Sequence, residues 1–343
     1  MVAFGHLTQP SFSNGTKDLT NQAVAAVAIF FVLSGFMIRY ITRTRVRHAR
    51  TYVVDRASRI YSVVIPALLL TVVLDAISYR INPAYYLHYW GGTFDHPIVR
   101  VALNLTFLSQ AWFHSVSPLS NSPFWSLGYE CVYYAVYGVA FYCSGRAKWF
   151  GLILIFLLIG PIVFLLFPIW LLGAVAYDVF AEGKLTSNGA IRMIATVLLA
   201  LIGVLGTGWA IQRLHLLAAH RLLTGRVNIL IDGVGVIFGA VLPACCWGVQ
   251  RLHFDEKQWF VVATRQLANS TFTLYLMHFP LLVLVGATIP YNHGSWPARI
   301  AILCGLIAFS VAITPSLDRL KKFMRKTLLP QRAELRGLQT QPS

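Results

Sequence analysis

Glu130 lies in the segment Ser122-Pro-Phe-Trp-Ser-Leu-Gly-Tyr-Glu-Cys-Val132, one to two turns inside an apolar run from Trp125 to Cys143. Holding an ionisable group at that depth of a membrane costs about 2.5 to 3.5 kcal/mol, so such a residue is kept for a purpose and its partner reveals the purpose. A structural carboxylate would hold a neighbouring helix through an ion pair; a catalytic one would orient or charge-stabilise an acid–base group. The candidate acid–base groups are two histidines within or beside apolar runs, His6 after Val2-Ala-Phe-Gly and His278 in Leu274-Tyr-Leu-Met-His-Phe-Pro-Leu. An imidazole titrates near neutral pH and can take the proton of an alcohol nucleophile, and a carboxylate on its other nitrogen fixes the tautomer. The bland reading of each is a satisfied packing histidine.

Two further patterns could bind rather than react. Arg56 and Arg59 are three apart, which puts them on one face of a helix where they can clamp a phosphate bidentately. Arginines at the inner boundary of a membrane span are expected without any ligand, and that explanation stays open beside the first. Ser34-Gly35 interrupts the apolar run Phe30 to Ile38, and small residues there usually let two helices approach closely. The outer histidines His88, His96, His114, His215 and His220 lack the close spacing of a metal site. The five cysteines have no C-x-x-C spacing and fall in or beside apolar runs, so neither zinc nor a disulfide framework is expected. Phosphate-binding glycine loops and a G-x-S-x-G elbow are absent from the sequence.

The elements that would carry these groups follow from composition. Hydrophobic residues make up 57% of 343 and charged residues 12%, against about 25% charged in a soluble domain. Mean hydropathy is +0.64, and the reading is an all-α, polytopic transmembrane bundle. Net charge is +16, yet the basic residues sit between apolar runs rather than on a folded face with a known module, which argues against nucleic acid. Apolar runs near 23–41, 60–78, 124–143, 149–167, 191–211, 227–249, 267–289 and 297–315, with a short one at 169–180 after Pro168, give nine spans. The 98–113 stretch reads as an interfacial segment. The lysines and arginines concentrate in alternate connections, from Arg39 to Arg59, Arg146 to Arg192, Arg251 to Arg265 and Arg319 to Arg336. That bias puts the C-terminus in the cytoplasm and Met1 outside. The start lacks the order of a cleavable signal peptide, and the basic 316–343 tail is expected to be disordered.

In their order along the chain, these segments resemble the acyltransferase-3 family of integral-membrane O-acyltransferases. The matching pieces are His6, Phe30-Phe-Val-Leu-Ser-Gly-Phe36, Asp55-Arg-Ala-Ser-Arg-Ile60, Pro123-Phe-Trp-Ser-Leu-Gly-Tyr-Glu130 and Leu274-Tyr-Leu-Met-His-Phe-Pro-Leu281. The likeness runs from about residue 4 to 315, which would be one membrane-embedded acyltransferase domain, with W-S-L-x-x-E as its most specific piece.

The resemblance implies ten spans in a bacterial inner-membrane protein. Nine would be visible here, with His6 closing a first span whose beginning, including an arginine about ten residues before the histidine, would lie upstream of Met1. It further implies transfer of an acyl group, commonly acetyl, from acyl-coenzyme A as co-substrate to a hydroxyl of a sugar, glycolipid or cell-envelope glycan, a polysaccharide O-acetylation. No permanently bound cofactor or metal is implied. His6 would be the general base and Glu130 its orienting or stabilising partner. Arg56 and Arg59 would hold the coenzyme phosphates and Ser34-Gly35 would let its pantetheine arm pass. Trp125, Tyr275 and His278 would support the substrate or the structure. Two other readings remain: a transporter whose polar pathway uses Glu130, His278, Asp75 and Asp232, and an inactive truncated homologue. Acceptor, acyl chain and oligomeric state are not legible.

Overall fold

In lipid a chain must satisfy its own peptide groups, so each apolar run closes its hydrogen bonds within a helix. The computed structural model describes residues 1–9, 11–12, 20–91, 95–213, 229–252, 258–289 and 295–329, with only the backbone path at 20–22, 203–213 and 229–232. Among them are twelve α-helices and no strand. These are α1 (Val2–Leu7), α2 (Thr20–Thr44), α3 (Ala49–Ile81), α4 (Pro83–Trp90), α5 (Pro97–Leu105), α6 (Trp125–Tyr142), α7 (Gly145–Ile159), α8 (Phe167–Ala181), α9 (Ser187–Arg213), α10 (Ile229–Gln250), α11 (Trp259–Thr288) and α12 (Trp296–Leu328). By length and composition α2, α3, α10, α11 and α12 can each cross a membrane, while α8 and the first part of α9 are shorter apolar helices. The chain is a polytopic helical membrane protein.

Several boundaries differ from the sequence reading, three of them with consequences for the site or the ends of the chain. The run expected at 149–167 stops at Ile159, because Gly160 adopts φ 79°, a left-handed backbone open to glycine. The Trp112 N–H caps the Ile159 carbonyl there at 2.5 Å. The span expected at 60–78 begins instead at Ala49, so the helix that carries Arg56 and Arg59 is continuous with the apolar span that follows. The last helix runs on to Leu328, which puts residues 316–328 in a helix instead of a frayed tail. Its final turns are held by Arg325 Nε donating to Asp55 Oδ1 at 2.6 Å. The rest of the tail, 330–343, lies outside the described residues, as do His215 and His220 and the side chain of Asp232.

Helix α8 crosses α2 at a reciprocal pair of glycines. A Cβ on Gly35 would stand 1.9 Å from the Trp170 carbonyl oxygen, and a Cβ on Gly173 would stand 1.9 Å from that of Val32. Any side chain at either position would drive the two backbones apart. Helix α10 joins the seam where Gly235 and Gly239 admit Ala28 and Leu172. Arg39 closes one end of this seam, donating from Nε and Nη2 to the two oxygens of Asp178 at 2.9 Å each. Call this end, where α2 finishes and α3 begins, the basic end.

At the opposite end Asp75 of α3 is fully buried. It accepts from the backbone N–H of Ser120 at 2.9 Å, the Ser120 hydroxyl at 2.7 Å and the Tyr86 hydroxyl at 3.0 Å. Next to it Asn121 donates to Thr71 Oγ1 at 3.1 Å and to the Leu276 carbonyl at 2.9 Å. These bonds tie the irregular segment before α6 to both α3 and α11, and so fix where Trp125 and Glu130 begin their helix.

Candidate functional site

Glu130 is buried mid-bundle, and its partners come from α2 and from its own helix. The Ser34 hydroxyl donates to Oε1 at 2.7 Å, and the Tyr134 hydroxyl, one turn along α6, donates to the same oxygen. The Trp170 indole N–H donates to Ser34 Oγ at 3.2 Å. Ser34 is thus a junction that hands its own hydrogen to the carboxylate and receives one from the indole. Arg59 and Arg56 lie near enough for their charges to act on Glu130, and neither takes part in an ion pair among the described residues. Arg56 Nε is buried without a hydrogen-bond partner. Arg59 is exposed and borders a cleft of about 100 Å³ with Ser62, Asn269, Thr273, Asp318 and Lys321.

The second half of the site lies toward the opposite end. Tyr275 donates to the Pro123 carbonyl at 2.8 Å and shares a 2.5 Å hydrogen bond with Ser126, one turn before Glu130 on α6. Phe30 stacks on the Tyr275 ring at 6.3 Å. One turn further along α11, His278 is fully buried. Its Nδ1 faces the carbonyl oxygens of Tyr275 and Leu274 at 2.8 and 3.0 Å. Two acceptors require the proton on Nδ1, so Nε2 carries the lone pair; that atom is buried without a hydrogen-bond partner. The ring of His6 on α1 stands 5.4 Å from that of His278, and the edge of Phe279 packs against both. Gln9, one turn after His6, places its amide nitrogen 2.9 Å from His6 Nδ1.

Of the residues expected from the sequence, the fold therefore assembles two groups. Glu130 and Ser34 meet directly, with Arg56 and Arg59 nearby; His6, His278 and Tyr275 form a second group. Glu130 and His6 do not touch: the hydrogen bonds of Glu130 go to Ser34 and Tyr134, and the pairing of carboxylate with histidine expected from the sequence is not formed. Gly35 does not front an open passage for a coenzyme arm, because the Trp170 carbonyl of α8 fills the space its missing side chain leaves. Trp125 packs edge-on against Tyr129 at 5.3 Å and borders the site from the start of α6.

Sequence reasoning missed four members. Tyr134 and Gln9 could have been found, since they lie four residues after Glu130 and three after His6, the spacings at which helical side chains meet. Ser126 sat unremarked inside the W-S-L-x-x-E segment. Trp170 gave no signal, because only the crossing of α2 and α8 brings it to Ser34.

Among the described residues no group of three His, Cys, Asp or Glu side chains could hold a metal ion. Compared with known proteins, the model of a family described as an acyltransferase domain matches residues 1–315. No curated protein and no solved structure matches the chain.

Proposed function

Since the chain belongs to the acyltransferase 3 family and is a membrane-bound acyl-transfer enzyme, we propose that it moves an acyl group, acetyl in the simplest case, from acyl-coenzyme A to a hydroxyl of a sugar or cell-envelope glycan. The setting is the bacterial inner membrane, with nine spans in this chain, the basic end and the C-terminus in the cytoplasm, and the histidine pair toward the outer side. The observation that carries this reading is a succession of polar side chains through the bundle, with Ser126 one helical turn from Glu130 on α6. It runs from Arg56 and Arg59 through Glu130 and Ser34 to Ser126 and Tyr275, and ends at His278 and His6.

Each segment of that succession suits one part of the transfer. Arg56 and Arg59 offer the phosphates of the coenzyme two guanidinium groups that make no ion pair among the described residues, in contrast to Arg39 on Asp178. Glu130 supplies a carboxyl group between donor and acceptor, with Ser34 and Tyr134 holding its orientation. The histidines provide the proton transfer that an alcohol needs to attack a thioester, and His6, only half-buried, meets the acceptor first.

The test is release of free coenzyme A from acetyl-coenzyme A by the protein in nanodiscs, with and without soluble glycan and glycolipid acceptors. Acceptor-stimulated release, abolished in His6→Ala, is expected. Folded protein that binds acetyl-coenzyme A but transfers to no hydroxyl, in a panel that includes sugars, glycolipids and water, would sink the reading.

A further inference from the structure

Helix α12 continues past the family likeness, which ends at residue 315, and the continuation is docked on α3. Thr314, Leu317, Asp318, Lys321 and Arg325 follow one another at spacings of one, three and four residues that keep them on a single helical face. Thr314 and Leu317 are buried, and the Thr314 hydroxyl donates to Thr273 Oγ1 of α11 at 3.0 Å. Beyond them Arg325 Nε donates to Asp55 Oδ1 at 2.6 Å, and Arg50 of α3 reaches the Leu328 carbonyl at 3.5 Å. Between these attachments lies the cleft of about 100 Å³, walled by Arg59 and Ser62 of α3, Asn269 and Thr273 of α11, and Asp318 and Lys321 of α12.

The charges around this cleft do not balance. Half-buried Lys321 and Arg59 both line it, and neither makes an ion pair among the described residues. Arg56 also lies near enough for its charge to act on Lys321, as do the carboxylates of Asp318 and Asp55. Asp55 is engaged by Arg325, which leaves Asp318 facing three cations. Like charges gathered in a half-buried place cost free energy until an anion joins them. The room is that of a few water molecules, enough for one tetrahedral phosphate and too little for a nucleotide. A phosphate monoester hangs by a single bond and can enter such a space, whereas a diphosphate is threaded through its chain and must leave again. Resting on the acyl-transfer reading, we infer that the cleft seats the pendant 3′-phosphate of acyl-coenzyme A, with Lys321 as its main cation and Arg59 shared between it and the diphosphate. Lysine suits the task as a compact charge with three donors. Arg325 and Asp55 are positioning residues, which hold the end of α12 where Lys321 reaches the cleft.

The test compares acetyl-coenzyme A with its 3′-dephospho form by calorimetric titration of the protein in zwitterionic nanodiscs. The parent should bind the dephospho form about tenfold more weakly, as expected for losing one charge-assisted contact. Lys321→Ala should erase that preference, weakening acetyl-coenzyme A about tenfold and leaving the dephospho form unchanged, while Lys321→Arg should keep most of it. Lys321→Met retains the aliphatic stem against α3 and should match Lys321→Ala, which separates the lost charge from lost packing. A loss shared equally by both molecules, or a preference that survives Lys321→Ala, would overturn the assignment and leave the acyl-transfer reading intact. A parent that binds neither molecule would overturn both. The expected preference in a protein that transfers no acyl group would sink the acyl-transfer reading and leave the cleft assignment standing. A lipid headgroup carries the same phosphate chemistry, so the titrations are repeated in discs containing phosphatidylglycerol. An effect of Lys321→Ala confined to those discs would give the cleft to lipid and overturn the coenzyme assignment.

Discussion

Two carboxylates are buried among the described residues, and they are used in opposite ways. Asp75 has both oxygens filled, one by the Ser120 hydroxyl and the other by the Ser120 N–H and the Tyr86 hydroxyl. Glu130 receives both of its hydrogen bonds on a single oxygen. Asp75 fastens a loop to α3 and helps set the start of α6, while Glu130 keeps a side of its carboxylate uncommitted within the field of Arg56 and Arg59, which make no ion pair among the described residues. A buried charge whose lone pairs are all answered is a fastener; one that is half answered can still respond to a ligand. The same contrast separates Arg39, clamped by Asp178, from Arg56, whose buried Nε has no partner.

The comparison can be broken by isosteric amides. Asp75→Asn must turn an NH₂ toward donors that now meet an oxygen, leaving donor against donor. We expect a loss of about 3 kcal/mol or more in stability, seen as a large fall in the thermal unfolding midpoint in detergent; an unchanged midpoint would remove Asp75 from its fastening role. Glu130→Gln can keep its oxygen toward Ser34 and Tyr134, so the fold should survive. Acyl transfer should fall about 10²-fold, roughly 2.7 kcal/mol, and full activity in a stable Glu130→Gln protein would show that the charge is dispensable.

Smaller effects sharpen the picture. Arg59→Ala should weaken acyl-coenzyme A about tenfold, as expected for one charge-assisted contact to phosphate. Calorimetric titration checks this, and unaltered affinity would leave Arg59 as an ordinary boundary arginine. Tyr134→Phe removes one of the two donors on Glu130 while leaving its helix and ring packing intact, and about fivefold lower turnover follows from losing a bond of about 1 kcal/mol. A loss as large as that of Glu130→Gln would instead make the tyrosine hydroxyl part of the chemistry.

Much of this was legible in the chain. Long apolar runs announce helices because lipid offers the backbone no other partner, and the family resemblance drew its order from His6, Ser34-Gly35, Arg56/Arg59, Trp125/Glu130 and Tyr275/His278. What the sequence could not show was which of these residues meet. Pairing Glu130 with His6 was reasonable chemistry, yet it requires knowing how α1 sits on α6, and no local pattern encodes that. Gly35 illustrates the same gap: a small residue signals that something comes close, and only the fold shows that the visitor is the carbonyl of Trp170. The helix ends were also hidden, since hydropathy marks where lipid would begin and not where hydrogen bonding stops, so α3 and α12 outrun their apolar stretches.

The glycine crossing has a mechanical consequence. With two carbonyls seated where side chains would otherwise stand, α2 and α8 have no room to roll or slide against each other, and they behave as a stator. Internal prolines, each removing one rung of a helix's hydrogen-bond ladder, interrupt α3, α10, α11 and α12 at Pro66, Pro243, Pro280 and Pro315, whereas α8 has its proline only in its first turn. Ser34, one residue before Gly35, sits on this crossing, so the hydroxyl that meets Glu130 is set by the tightest backbone approach between these two helices.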